Sequence, residues 1–476
     1  MRGKPALLLA LNQLKTAAEE QQRLGDSAFD GCRKAPADVH YAHALYREIG
    51  EIALRQQLWE TAEEFAIRTL KKMPSSGAAL KILGKSLHGR NRLDEAALCH
   101  RYRLPSSVRD QYFSDKSLST LHSTQSKNLN CLMAHEAESR PVSPPTSLHE
   151  TSIHELSQTQ LNSSAAYTFQ LPDARLWFDG FNTAVWDKQG YLIADASRGL
   201  PDVVHCALDS RPAQCLSGRT CVLGNRNSGN YYHWMNDILP RLHVLQQSGI
   251  ALESIDHFLI NPLQHEFQKE TLGQFGIDDS RLHFSKLDTF LHCDELFLPV
   301  FGSNTLGKAQ APWTPAFLKS AFLDKVANTH DDRLHISRKT ATGRSIENEE
   351  SLVAFLQTRG FRSVNLEGLA VRQQARLFNA AAVVIGAHGA GFTNCVFCEP
   401  GTTIIELYRD HIAPCYWLTS ELTALRHAVH YCGADAELPS SGGSERYHAS
   451  ADRRRLSDFT VELDSLRKLL DLLHID

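Results

Sequence analysis

The stretch VVIGAHGAGFTNCVFCEPGTTIIEL, Val383 to Leu407, carries a short apolar run, then Gly386, Gly389 and Gly391 set around His388, then a second apolar run. Apolar runs of this length bounded by glycine read as buried strands, with a helix between them. Glycines at the mouth of a strand let the backbone approach a ligand closely, and a helix N-terminus offers free N–H groups to an anion. Thr393 and Asn394 fall in the first turn of that helix, with polar side chains available. The pattern is neither a GxGxxG fingerprint nor a Walker loop, and taken alone it fits a tight structural turn equally well.

The same alternation runs outward from this stretch. From Thr220 the segments TCVLG, YYHWMNDILPRLHVLQQSG, DHFLIN, QHEFQKETLGQFG and DELFLPV alternate strand and helix. After a break around Pro312 to Pro315, RLHISRK, NEESLVAFLQTRG, FRSVNL, VRQQARLFNAA, AVVIGA and TTIIELY continue it. Alternation of this kind predicts parallel sheets wound with crossover helices, and the break predicts two sheets rather than one. Ligands of such sheets sit beyond the carboxyl ends of the strands, here in a cleft between two facing units.

Two further segments place chemistry there. ISRKTATGR, Ile336 to Arg344, puts Arg338, Lys339 and Arg344 in the loop after another strand of the C-terminal sheet, on the same edge as the glycines. Guanidinium groups make paired, charge-assisted bonds to phosphate oxygens, so the two loops together read as a phosphate site. Glu406, at the end of the following strand, is positioned to accept hydrogen bonds from a ribose. In the N-terminal sheet, NYYHWMNDILPRL, Asn230 to Leu242, follows a strand and the flexible GNRNSG. In a helix His233 and Asp237 share one face, with Tyr232, Trp234 and Asn236 beside them. An imidazole and a carboxylate next to aromatic rings suit an acceptor hydroxyl, whose proton one of them removes. A buried histidine with a capping carboxylate is the plainer alternative. Pro240 is expected to bend or end that helix.

The rest of the chain bounds the reading. At 476 residues it exceeds one ordinary core, and 42% hydrophobic with 22% charged residues is a globular composition. A formal charge of −4, from 50 basic and 54 acidic residues, gives no support to a general nucleic-acid binder. Eleven scattered cysteines suit free thiols in a reducing cytoplasm, and Cys395 and Cys398 read as small buried residues rather than zinc ligands. No HExxH or acidic metal pair stands out, and no apolar run is long enough to span a bilayer. Ala6 to Leu14 reads as an amphipathic first helix rather than a signal peptide.

Residues 1–105 read as all-helical with an internal repeat: Gly50 and Gly84 lie 34 residues apart, as do Ala62 and Ala96. That period resembles tetratricopeptide repeats, which implies a docking surface for a protein partner or a second copy of the chain. Plain helical packing is the alternative, and residues 5–24 are expected to cap the repeats. Residues 106–165 are rich in Ser, Thr, Gln and Pro and read as a partly disordered linker. Leu176 to Ser197 alternates apolar and polar residues with turns at Asp179-Gly180 and Lys188-Gln189-Gly190, a small antiparallel β segment.

Taken together, NYYHWMNDILPRL, HISRKTATGRSIENEE and the long run from Gly360 to Tyr408 resemble glycosyltransferase family 61. The resemblance covers Cys221 to Tyr408, with Phe392 where leucine is common and Ala370 where serine is frequent. It implies an α/β fold of GT-B type, in which two Rossmann-like domains, 166–310 on the acceptor side and 311–440 on the donor side, follow the helical region and precede a loop and C-terminal helix, 441–476. It also implies an inverting transferase that moves a sugar from a nucleotide-sugar co-substrate, often a UDP-sugar, to a saccharide or protein hydroxyl. The positions matching the family's donor side are Arg338, Arg344, His388, Gly389, Gly391, Thr393, Asn394 and Glu406, with Lys339 and Ala390 beside them. Asp237 is the expected base with His233 its competitor, and Tyr232, Trp234 and Asn236 are expected on the acceptor. No cofactor is required beyond the donor, and dependence on a divalent metal is left open. The context fits a bacterial cytoplasmic enzyme of polysaccharide synthesis, peripheral to the inner membrane at most. The alternative is a catalytically silent repeat adaptor that retains the transferase fold.

Overall fold

A computed structural model describes residues 4–20, 23–34, 42–74, 76–101, 103–113, 120–121, 130–148, 156–180, 182–199, 204, 213–225, 227–286, 289–302, 311–323, 330–339, 343–409, 412–432 and 458–476. The chain is mixed α/β, with helices at the N-terminus and sheets beyond.

Helices α1 (Lys4–Glu19), α2 (Asp30–Lys34), α3 (Ala42–Arg55), α4 (Trp59–Lys72), α5 (Gly77–Gly89), α6 (Leu93–His100) and α7 (Ser106–Tyr112) share one apolar core. The 34-residue spacing has a packing cause. Gly50 on α3 and Gly84 on α5 each face a neighbouring helix, a Cβ on Gly50 falling 3.4 Å from Ile82 and one on Gly84 3.0 Å from Cys99. Ala62 and Ala96 are both buried. Leu7, Leu11 and Leu14 of α1 join the same core, so the first helix caps it.

The strands are β1 (Thr120–Leu121), β2 (Asn130–His135), β3 (Glu138–Pro141), β4 (Thr146–Ser147), β5 (Gln160–Ser163), β6 (Ala166–Phe178), β7 (Thr183–Trp186) and β8 (Leu192–Ile193). There follow β9 (Gln214–Val222), β10 (His257–Ile260), β11 (Leu282–Phe284), β12 (Phe290–Val300), β13 (Asp332–Ile336), β14 (Phe361–Val364), β15 (Ala381–Ala387), β16 (Thr403–Tyr408) and β17 (Arg426–Tyr431). The first sheet has nine strands in the order β1-β8-β7-β6-β12-β9-β10-β11, with β2 also on β6. Its segment β11-β10-β9-β12 is parallel and, counted along the chain, runs 3-2-1-4. The second sheet, β14-β13-β15-β16-β17-β4, is parallel throughout, and its first five strands run 2-1-3-4-5. Both are doubly wound orders, with switch points between β9 and β12 and between β13 and β15.

Three features differ from the sequence reading. The segment expected as a separate small β unit is fused to the first Rossmann-like sheet, because the 13-residue β6 pairs with β12 along ten residues. Within the stretch expected as linker, β2 extends the first sheet and β4 the second, since unpaired sheet edges recruit even polar segments through backbone bonds. The two units also do more than face each other. One apolar cluster runs from Leu239 and Phe297 to Leu334, Phe392 and Tyr416. Lys319 Nζ donates to Cys398 O at 2.7 Å, and Glu270 accepts from the Val371 amide at 3.0 Å across the same boundary. The C-terminal helix Leu463–Leu472 packs Leu466, Leu469 and Leu470 onto the other face of the second sheet. No helix among the described residues is long and apolar enough to cross a membrane.

Candidate active site

At the second switch point Ile336 of β13 stands in register with Gly386 of β15, and Gly386 in register with Glu406 of β16. Arg338 and His388 each lie two residues beyond that row, so parallel pairing alone delivers both to one edge. The glycines there do different work from that expected. A Cβ on Gly386 would meet the Ile336 carbonyl at 2.8 Å, and one on Gly391 would meet Leu366 at 3.0 Å, so both serve strand and helix packing. Gly389 is in extended backbone, and a Cβ there would collide with the Arg338 guanidinium. The following segment, Ala390–Phe397, is a 3-10 helix rather than an α-helix. It carries Cys395 and Cys398 into the core as free thiols.

Arg338 Nη2 donates to Gly343 O at 2.8 Å, closing the basic loop on itself. Arg344 sits in the left-handed region at φ +58°, a conformation that costs a side-chain-bearing residue free energy and persists where the surroundings impose it. Both arginines are half-buried, and neither has a carboxylate at ion-pair distance among the described residues. The Nε atoms of both are buried without a hydrogen-bond partner. Burial, together with the like charge of Arg344, pushes Arg338 down, and burial likewise lowers Arg344. Lys339 is exposed beside them, Ala390 is half-buried, and Thr393 is buried.

Glu406 is placed elsewhere than at a ribose. It is 0% exposed, and its oxygens are taken by His388 Nδ1 at 2.7 Å, the Tyr408 hydroxyl at 2.7 Å and His427 Nε2 at 3.2 Å. Burial works to raise this carboxyl, and the adjacent His388 and His427 more than offset it, holding it at about 2. It therefore fixes the His388 ring rather than a ligand. A carboxyl depressed in the folded state stabilises the fold above its unfolded value near 4.3 and loses that contribution as pH falls toward 2. Glu406→Gln is expected to cost roughly 3–5 kcal/mol at neutral pH, as removal of one partner of a buried pair does. Its acid unfolding should also lose steepness between about pH 4 and 2, read by circular dichroism. An unchanged acid limb would show that Glu406 is not the titrating anchor.

Asn394, expected on an anion, is also internal. Its amide donates to Gln374 Oε1 at 2.8 Å and Gly391 O at 3.1 Å, while its oxygen accepts from the Tyr231 hydroxyl at 2.9 Å. Tyr231 opens the helix of the N-terminal unit, so Asn394 ties the two units together.

That helix does not end at Pro240 but continues past it. It runs as α over Tyr231–His233, as π over Trp234–Ile238, and as α again over Leu239–Gln247. Proline offers no N–H to the preceding turn, and the wider π turn accommodates the register shift. Asn230 caps the start, accepting from the amide of Tyr232 at 2.9 Å. His233 Nδ1 and Asp237 Oδ2 are 2.6 Å apart. Asp237 is 4% exposed, whereas His233 is half-buried with Nε2 turned outward, 3.4 Å from Asn227 Nδ2. The carboxylate thus lies behind the ring, and the imidazole is the more exposed member of the pair. Trp234, expected on the acceptor, is fully buried with Nε1 on Thr271 at 2.8 Å. Asn236 is buried and donates to Tyr232 O at 3.1 Å across the π turn. Tyr232 packs edge-on to Tyr416 at 5.6 Å, and Tyr416 lies 5.2 Å from His388, so one aromatic chain links dyad and glycine loop. Tyr408, Tyr416 and His427 carry no local motif and were not singled out by sequence; pairing of β16 with β17 brings Tyr408 and His427 together, and the helix Cys415–Thr423 between those strands brings Tyr416.

Residues 231–405 match the family model described as Glycosyltransferase 61. A β-1,2-xylosyltransferase of Arabidopsis thaliana is 37% identical over 82 residues, which cover 16% of this chain and 15% of that protein. The crystal structure of a bacterial iron-containing dodecameric glycosyltransferase, TibC from enterotoxigenic E. coli H10407, aligns over 58% of this chain and 84% of its own at 10% identity. Its TM-score is 0.23, too low to establish a common fold. The family match and the xylosyltransferase relative support a glycosyltransferase of family 61 type.

Proposed function

We propose that this protein is an inverting glycosyltransferase that moves a sugar from a nucleotide-sugar donor, a UDP-sugar first of all, to a hydroxyl of a saccharide or protein. The observation that carries the proposal is the Arg338–Arg344 pair, two half-buried guanidiniums without a carboxylate partner among the described residues, at a switch point of a parallel sheet. A diphosphate supplies the charge and the acceptor atoms that these groups lack. The name of the xylosyltransferase relative puts xylose first among the sugars to test.

In this reading the acceptor oxygen attacks the anomeric carbon from the face opposite the diphosphate. Its proton passes to His233 Nε2 as the new C–O bond forms, and Asp237 stabilises the resulting imidazolium through Nδ1. The bond to the diphosphate oxygen breaks, and both electrons leave with it into the field of Arg338 and Arg344. His388, fixed by Glu406, is assigned to the same diphosphate. The helical repeats serve as a docking surface for a protein partner or second copy, and the setting is surface polysaccharide synthesis in a bacterial cytoplasm.

Calorimetric titration with UDP, GDP, CMP and dTDP, with and without Mn²⁺, tests the donor site. One nucleotide is expected to bind selectively, and that result narrows the sugar to its family. Binding of none would sink the assignment and leave the silent adaptor.

A further inference from the structure

The first sheet has a switch point of its own, between the carboxyl ends of β9 and β12. A small pocket of about 20 Å³, open to solvent on one side, lies there. Its lining includes Arg198, Arg241, Thr183, Asn225 and Pro299. Arg198 is brought to it by the backbone pairing of Thr183 with Arg198, at 2.9 and 2.7 Å. Arg241 is 6% exposed and is pinned by Nε to Asp237 O at 3.0 Å and by Nη1 to Pro299 O at 3.4 Å. Both anchors are neutral carbonyls. Among the described residues Asp237 is the one carboxylate acting on either guanidinium, and it is already bonded to His233. Two positive charges therefore share one committed negative charge at the wall of an open cavity. Burial and the like charge of Arg198 push Arg241 down to about 9, and burial lowers Arg198.

We infer that this cavity is an acceptor subsite for an oxyanion, a carboxylate or a phosphate, so that the sugar is transferred to an acidic acceptor. The word acceptor rests on the transferase reading above; the anion site rests on the cavity itself. His233, Asp237 and Arg241 follow one another at four-residue steps along one helix. Two turns span on the order of 11 Å, so an acceptor about two sugar residues long would reach from the bound oxyanion to His233. A neutral acceptor would leave both guanidiniums facing water or an apolar group, which a buried charge disfavours.

The test is calorimetric titration of the full chain with glucuronate and with inorganic phosphate, glucose being the neutral control. It is run in the Arg338→Ala background, so that phosphate bound at the donor edge does not contribute. At least one anion is expected to bind and glucose is not. Arg198→Gln is expected to weaken that binding at least about tenfold, the loss of one charge-assisted contact. Val300→Glu, which adds a carboxylate to the cavity wall without touching either arginine, should do the same. The ratio of glucuronate to phosphate affinity then says which oxyanion is the natural one. Absence of anion binding, or binding unchanged in both variants, overturns the inference. Nucleotide binding by the chain with Arg338 intact is measured in parallel. If that fails while anion binding still follows Arg198, the anion site stands and the transferase reading falls.

Discussion

Replacing Arg338 or Arg344 by alanine is expected to weaken nucleotide-diphosphate binding by roughly 30- to 1000-fold, the cost of removing one partner of a desolvated charge pair. The ligand-free melting temperature should stay unchanged or rise. The two effects separate because the arginines repel each other, are half-buried and have no carboxylate partner among the described residues. Such groups burden the empty fold and are compensated only when an anion arrives. Arg338 makes one structural contact, to Gly343 O, which bounds the stability it can contribute. Calorimetry and thermal unfolding on the same preparations decide the matter. Retained nucleotide binding with a lowered melting temperature would make these arginines structural.

His233→Ala is expected to lower kcat by about 10²–10⁴ with the donor Kd unchanged, since a general base contributes in that range and His233 lies in the other unit. Asp237→Asn should also lower kcat strongly. An amide in that place no longer holds the Nδ1 proton and no longer stabilises the charged ring. Full kcat in His233→Ala would return the role of base to another group.

Much of the sheet architecture was legible because its cause is local. Apolar runs such as TTIIELY and TCVLG bounded by glycine or asparagine mark buried parallel strands, and their C-terminal loops then share an edge by topology alone. Arg338 and His388 were placed on one edge in this way, as the register of β13 with β15 has them. What failed depended on distant partners. Glu406 looked ligand-facing from its place at a strand end, yet Tyr408, His388 and His427 enclose it. Asp237 and His233 were paired correctly by spacing, but the burial of Asp237 and the π turn that carries it are not encoded by residue propensities. Trp234 was expected to face a sugar and instead faces Thr271, because the face a helix buries is decided by the sheet beneath it. Arg198 lies on an isolated bridge to Thr183, far from any motif, and only the fold brings it to Arg241.

Tyr231 and Asn394 join a helix of one unit to the glycine loop of the other within a continuous apolar core. Swinging the two lobes apart would break that bond and wet Phe392 and Tyr416. Opening the molecule would therefore cost those apolar contacts as well as the bond, so the two lobes are expected to move as one body.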